Sequence, residues 1–284
     1  MAGGLSEAPE AATASYDPAF FARLFTIEDR HFWFRARNRA IAATVRPLVA
    51  SFPPGYRVLE VGCGTGNVLR LLEQVCRDGI VTGMDPFPEA LAFARRRTTC
   101  ALVQGDVHAP PFADPFHLIG MFDVLEHLYD DIDVLRTLRA MLVPGGALVL
   151  TVPAEMALWS YFDEASHHCR RYSRDTLAAT LRTTRFDVEY VSHFMTALFP
   201  LLWTARRVGD RLHRQSGADE LAMRELTIVP GINGAVAWAL GLESRAVARR
   251  WRLPIGASLI AVARAPLSTW IPSSSTADVT GDRS

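Results

Sequence analysis

The chain has 284 residues, about half of them apolar, which suits one large domain with material left for an insertion. Thirty basic and thirty acidic residues cancel, so nothing global favours nucleic acid as a partner. All thirty basic residues are Arg, which excludes a lysine Schiff base and a lysine phosphate clamp.

Four cysteines (Cys63, Cys76, Cys100 and Cys169) lie too far apart for CxxC-type metal spacing. No signal-peptide pattern precedes them, and a reducing cytoplasm is the expected location. No apolar run reaches the roughly eighteen residues of a membrane helix. The nearest, FMTALFPLLW (194–203), is interrupted by Pro200.

In chain order, residues 1–14 read as a disordered tail rich in Ala, Gly and Glu. Residues 15–55 form a helical segment holding EDRHFWFRARNRAIAATVRPLV (28–49), in which an aromatic cluster precedes an amphipathic helix. From Tyr56 strands alternate with helices. YRVLEV (56–61), IVTGM (80–84), ALVQ (101–104), HLIGMF (117–122) and ALVLTVP (147–153) read as buried strands. Helices fall at 67–78, at 88–97 opened by Pro88, and at 130–142 with Asp130 as N-cap, stopped by PGG (144–146).

A helix at 174–184 and a strand at 186–194 follow, and SLIAVARA (258–265) is a final strand. Repeated β-α-β order means a parallel sheet covered by helices on both faces. Residues 195–254 exceed what a compact sheet needs and carry helical patterns near 195–214 and 232–251. Residues 266–284 read as a second disordered tail.

LEVGCGTGNV (59–68) joins the first strand to the first helix by a glycine-rich turn. Gly62, Gly64 and Gly66 are spaced GxGxG, unlike the dinucleotide GxGxxG, and Glu60 just before the turn is a poor neighbour for a pyrophosphate. It suits a cationic ligand such as S-adenosylmethionine (SAM), which carries an ammonium and a sulfonium. Asp85 at the second strand end, followed by Pro86, is placed for ribose hydroxyls. Asp106 at the third could accept from an adenine amino group beside Val107.

These motifs, with FDVLEHL and LVPGGALVLTVP after them, resemble the five ordered motifs of class I SAM-dependent methyltransferases, from about Tyr56 to Pro153. The resemblance implies a Rossmann-like sheet of seven mostly parallel strands with a helical insertion before the last. It also implies SAM as cofactor, with Cys63, Phe122 and Asp123 beside it. Residues 28–49 and the HHCRRY stretch resemble a bacterial subgroup of that family. Its HFWF is read as a lid, with Trp33 against the acceptor, or as an aromatic staple pinning the helix.

FDVLEHLYDD (122–131) sets Asp123, Glu126 and His127 at helical spacing, either as base and ligands or as acidic decoration of a helix start. His127 is one candidate base. WSYFDEASHHCRRYS (159–173) supplies the others, Tyr161, His167 and His168, with Arg170, Arg171 and Tyr172 to hold an acceptor. Some SAM enzymes carry ExxEH at this strand end and bind a divalent ion. Here Asp123 replaces the first Glu of that motif, so no metal is expected, with Asp123, Glu126 and His127 as the ligands if one binds.

The expected activity is methyl transfer to a small or lipid-like acceptor, at oxygen. The rivals are a SAM-binding scaffold without turnover and a metal-assisted O-methyltransferase. Residues 194–214 and 232–252 each place an apolar half before an Arg-rich half. They read as a roof over a greasy acceptor, as a peripheral contact with the inner membrane face, or as helices packed on the core or at a dimer interface.

Overall fold

The computed structural model describes residues 19–212 and 232–267. The expected tails fall outside these residues, apart from positions 266 and 267, and so does the junction between the two insertion helices.

Seven strands form one sheet in the order β3-β2-β1-β4-β5-β7-β6. They are β1 (Arg57–Val61), β2 (Ile80–Asp85), β3 (Ala101–Gln104), β4 (Phe116–Phe122), β5 (Leu142–Pro153), β6 (Asp187–Phe194) and β7 (Ser258–Arg264). The first five pair in parallel, and β7 runs antiparallel between β5 and β6. Strands buried on both faces need near-continuous apolar runs, and β4, β5 and β7 supply them.

Helices α2 (Phe32–Val49), α3 (Asn67–Val75) and α4 (Pro88–Ala94) cover one face, together with the last helix, α9 (Ile232–Ala248). Helices α5 (Asp131–Ala140) and α7 (Arg174–Thr183) cover the other. The remaining helices are α1 (Ala19–Ile27), α6 (Tyr161–Ala165) and α8 (Phe199–Leu212). The order reverses between β1 and β4, which opens a crevice at their carboxyl ends.

The structure differs from the sequence reading at four points. The helix expected after the HFWF cluster begins inside it, at Phe32, where a turn at residues 28–31 ends and the His31 side chain caps α2 by accepting from the Trp33 amide, 3.3 Å. β5 begins at Leu142, because the chain pairs with Phe116 there and then bulges through Pro144–Gly146, with Gly145 at φ +74°, before pairing again from Ala147. Asp130 sits at the N-cap of α5 but makes no capping bond, since its carboxylate is taken by His108 Nε2 at 2.9 Å. Glu126 and His127 lie on a 3-10 turn, Leu125–His127, rather than on a helix.

Candidate active site

A cavity of about 440 Å³ lies over the reversal point, floored by the ends of β1, β2 and β4 and roofed by α1, α2 and α8. Its size is that of a pocket for a cofactor-sized ligand.

One half is acidic. Gly62 has φ +70°, and a Cβ there would meet Val124 Cγ2 at 2.5 Å, so only glycine lets the loop pass under β4. Gly64 has open space where a side chain would stand, so its backbone edge faces the cavity. Its N–H donates to Asp85 Oδ2 at 2.8 Å, and the Phe87 N–H donates to Oδ1 at 3.0 Å. Burial pushes the Asp85 carboxyl up to about 6 against those two bonds. Asp106 is held low; burial would raise it, but bonds from the His108 amide and ring outweigh that. Behind the loop, Glu60 is 2% exposed and its Oε2 has no hydrogen-bond partner. Burial raises its carboxyl well above the usual range; nearby Arg37 opposes this, while Asp85 and Glu28 add to it.

The N-terminal helices are fastened down on this half. Arg97, almost wholly buried, donates to Glu28 and to Thr65 Oγ1 (2.6 Å) and the Phe25 carbonyl (2.6 Å). Arg37 Nη1 donates to Asp123 Oδ2 at 2.9 Å and Nη2 to Asn67 Oδ1 at 3.3 Å, with the guanidinium over the Trp33 and Phe34 rings. Asp123, at φ +55°, also accepts from Thr151 Oγ1 at 3.0 Å.

The other half is apolar with a buried polar cluster. Phe20, Phe32, Trp33, Phe162, Leu198 and Leu202 are among its walls. Asp163, fully buried, accepts from His168 Nδ1 (2.8 Å), Arg171 Nε (2.7 Å) and the Ser160 amide (3.0 Å). Burial alone would raise its carboxyl, but His168 and Arg171 hold it below the ordinary carboxylate range. The bond at Nδ1 turns Nε2 of His168 into the free-tautomer position, the arrangement of an oriented base.

The His127 ring lies 4.8 Å from that of His168, edge to face. Burial, then the neighbouring His168, lowers His127 to about 3, so it is neutral at physiological pH and a weak base. Glu126 is 1% exposed, with Oε2 lacking a partner and its carboxyl raised well above normal by burial and then by Asp123.

A methyltransferase-domain family model matches residues 33–191, more than half of the chain. The chain belongs to this methyltransferase family. Among curated relatives, it is 32% identical over 160 residues to a ubiquinone biosynthesis O-methyltransferase of Xanthomonas campestris pv. campestris (49% of this chain, 66% of the relative). It is 32% identical over 188 residues to a trans-aconitate 2-methyltransferase of Streptomyces avermitilis (61% and 63%). It is 38% identical over 101 residues to a fatty-acid O-methyltransferase of Mycolicibacterium smegmatis (34% and 37%). The matches thus span just under two thirds, or less, of these relatives' own length.

Two solved chains share the fold. One is phosphoethanolamine N-methyltransferase 2 of Haemonchus contortus, solved with S-adenosylhomocysteine (TM-score 0.52, 18% identity, 81% of this chain and 52% of that one). The other comes from a Haloferax volcanii complex with the Trm112 methyltransferase activator (TM-score 0.56, 20% identity, 88% and 97%).

SAM, the cofactor of class I methyltransferases, fits the acidic half. Asp85, held by the Gly64 and Phe87 amides, lines the cavity, and the exposed loop edge at Gly64 admits a ligand backbone. Gly62, Gly64, Asp85, Pro86, Asp106, Val107, Phe122 and Asp123 line the cavity. Glu60, Cys63 and Gly66 stand behind the wall. The Cys63 thiol packs in the core and is pushed up by burial, and Gly66 begins α3.

Trp33, Glu126, His127, His168 and Arg171 are also among the residues that line the cavity. Four expected residues stand elsewhere. Tyr161 is buried at the start of α6 and is not a cavity wall. His167 is exposed at φ +55° after α6 ends. Arg170 and Tyr172 both bind Asp131 Oδ2 at 2.7 Å, which pins this loop to α5 instead of the acceptor.

The sequence reading missed Arg37, Asn67, Glu28 and Arg97, whose pairings span 29 to 86 positions and leave no local pattern. It also missed Asp163 as the partner of His168, although their i, i+5 spacing beside a buried Arg was a usable signal.

Proposed function

We propose that this methyltransferase moves the methyl group of SAM to an oxygen of a small, largely apolar acceptor. The acceptor lies between Trp33, Phe162, Leu198 and Leu202, with its oxygen toward His168. The observation that carries this reading is the Asp163–His168 pair opening on the same cavity as the acidic cofactor half. Methyl transfer from a sulfonium is an in-line displacement, so the walls contribute mainly by positioning. The acceptor proton passes to His168 Nε2 as the oxygen–methyl bond forms and the carbon–sulfur bond breaks, and Asp163 stabilises the imidazolium. Arg171 keeps Asp163 ionised.

The names of the ubiquinone-pathway and fatty-acid relatives support oxygen as the methylated atom and an apolar acceptor. The test is S-adenosylhomocysteine release across apolar phenols, fatty acids and polycarboxylic acids. His168→Ala is expected to abolish turnover while keeping SAM binding. SAM binding with no turnover on any acceptor would favour a scaffold.

A second reading uses the same corner. Glu126, His127 and His168 bring one ligand atom each within 4.8 Å of one another, and Asp163 orients His168 as a carboxylate orients a metal-bound imidazole. Glu126 Oε2, buried without a partner, fits a cation. Asp123 leaves the set, because Arg37 and Thr151 hold it. A divalent ion here would lower the pKa of an acceptor hydroxyl. Full turnover in chelator retires this reading, and loss restored by a divalent ion retires His168 as base.

A further inference from the structure

The insertion carries a surface that the cavity does not use. Helix α9 buries Leu240 and Val247 in the core beside α2. Trp238, Leu242, Arg245 and Arg249 follow one another at steps of four, three and four, which makes a single stripe on its outer side. Trp238 is 70% exposed and Leu242 43%, and both arginines are exposed. Beyond the helix, Trp251 is 60% exposed beneath the Arg249 guanidinium, with Arg252 and Ile255 open after it.

Helix α8 adds Leu201, 58% exposed, and Trp203 with Arg207 over its ring. These pieces adjoin. Glu243 of α9 accepts from the amides of Thr196 (2.9 Å) and Ala197 (2.8 Å), and Thr196 Oγ1 donates to the Ile255 carbonyl at 2.7 Å. The turn that leads into α8, helix α9 and the 251–255 segment therefore meet at one junction.

We propose that this face docks on an anionic phospholipid bilayer. Water-exposed tryptophans among arginines, with Arg207 over Trp203 and Arg249 over Trp251, are the chemistry of the membrane–water boundary, and a cluster of this kind is unusual on a free monomer. The charge is one-sided. Arg250 is occupied by Glu189, but Arg245, Arg249 and Arg252 have no ion pair among the described residues. Glu243 lies off the stripe, toward the buried side of α9, and accepts from backbone N–H groups.

Isolated Leu and Ile side chains between the cations favour lipid over a nucleic-acid backbone. Among the described residues no helix is long and apolar enough to cross a membrane, so the contact is interfacial. Helix α8 also lines the cavity with Leu202 and Arg206, so one helix is both acceptor wall and lipid face.

The test is flotation of the full chain with phosphatidylcholine vesicles, with and without phosphatidylglycerol, at low and high salt. The chain is expected to float only with phosphatidylglycerol and to be released by salt. Arg245→Ala with Arg249→Ala should weaken partitioning about 25-fold, roughly fivefold for each arginine. Trp238→Ala with Trp251→Ala should weaken it at both salt levels. None of these side chains touches the cavity, so SAM affinity and melting temperature should stay at the wild-type values. Three outcomes would overturn the proposal: no flotation with phosphatidylglycerol, wild-type flotation of the arginine pair, or a dimer that Trp238→Ala converts to monomer. Displacement from vesicles by an oligonucleotide at equal charge would reassign the face to nucleic acid. Flotation needs neither acceptor nor turnover, so its failure leaves the proposed reaction standing.

Discussion

Asp163→Asn separates the structural and chemical work of the polar cluster. The carboxylate is fully buried and neutralises Arg171 while fixing the His168 tautomer. Asparagine keeps the volume but removes the charge, leaving Arg171 buried without its counter-ion. Breaking a buried pair in this way costs about 3–5 kcal/mol. At roughly 2–4 °C per kcal/mol for large domains, Tm should fall by about 6–20 °C.

The Asp163 carboxyl is held below its unfolded value, so its stabilisation is present above that value and is lost as pH falls through the folded one. The variant should therefore lose part of the acid limb of the stability curve, and the gap from wild type should close below about pH 4. Turnover should drop about 100-fold or more, the size of a general-base contribution. His168→Ala leaves the Asp163–Arg171 pair in place, so its kcat should fall as far with a much smaller change in Tm. Thermal melts from acid to neutral pH and initial rates of S-adenosylhomocysteine formation give both readouts. An Asp163→Asn protein with wild-type Tm and wild-type kcat would refute this account of the cluster.

Other variants test other parts of the site. Glu60→Gln should raise the Tm of the cofactor-free protein in thermal melts at neutral pH, because a carboxyl raised by burial destabilises the fold above its unfolded value. Arg37→Ala removes the link from α2 to Asp123 and Asn67, so KM for SAM should rise and limited proteolysis between residues 27 and 32 should quicken. Gly62→Ala places a Cβ 2.5 Å from Val124 at a left-handed φ, so Tm should fall by several degrees and SAM binding with it.

Strand positions were legible because five apolar runs, four of them ended by a glycine or an acid, alternate with helical patterns and so dictate a buried parallel sheet. The antiparallel place of β7 between β5 and β6 was not legible, since apolar content says nothing of direction. The cofactor half could be read because Gly62, Asp85 and Asp106 sit at strand ends at fixed offsets. The acceptor half could be read only as a neighbourhood. Of HHCRRY, His168 and Arg171 line the cavity, drawn there by Asp163, while Arg170 and Tyr172 are held by Asp131, pairings that no local pattern announces. The clasp of Glu28 and Arg37 depends on pairings across the fold, which composition and periodicity cannot register.

Calorimetric titration of S-adenosylhomocysteine into wild type, Asp85→Asn and His168→Ala, paired with turnover of the same proteins, tests the division of the cavity most directly. The account expects Asp85→Asn to bind at least tenfold more weakly and His168→Ala to bind as wild type but fail to turn over. Wild-type binding by Asp85→Asn, or wild-type turnover by His168→Ala, would contradict it.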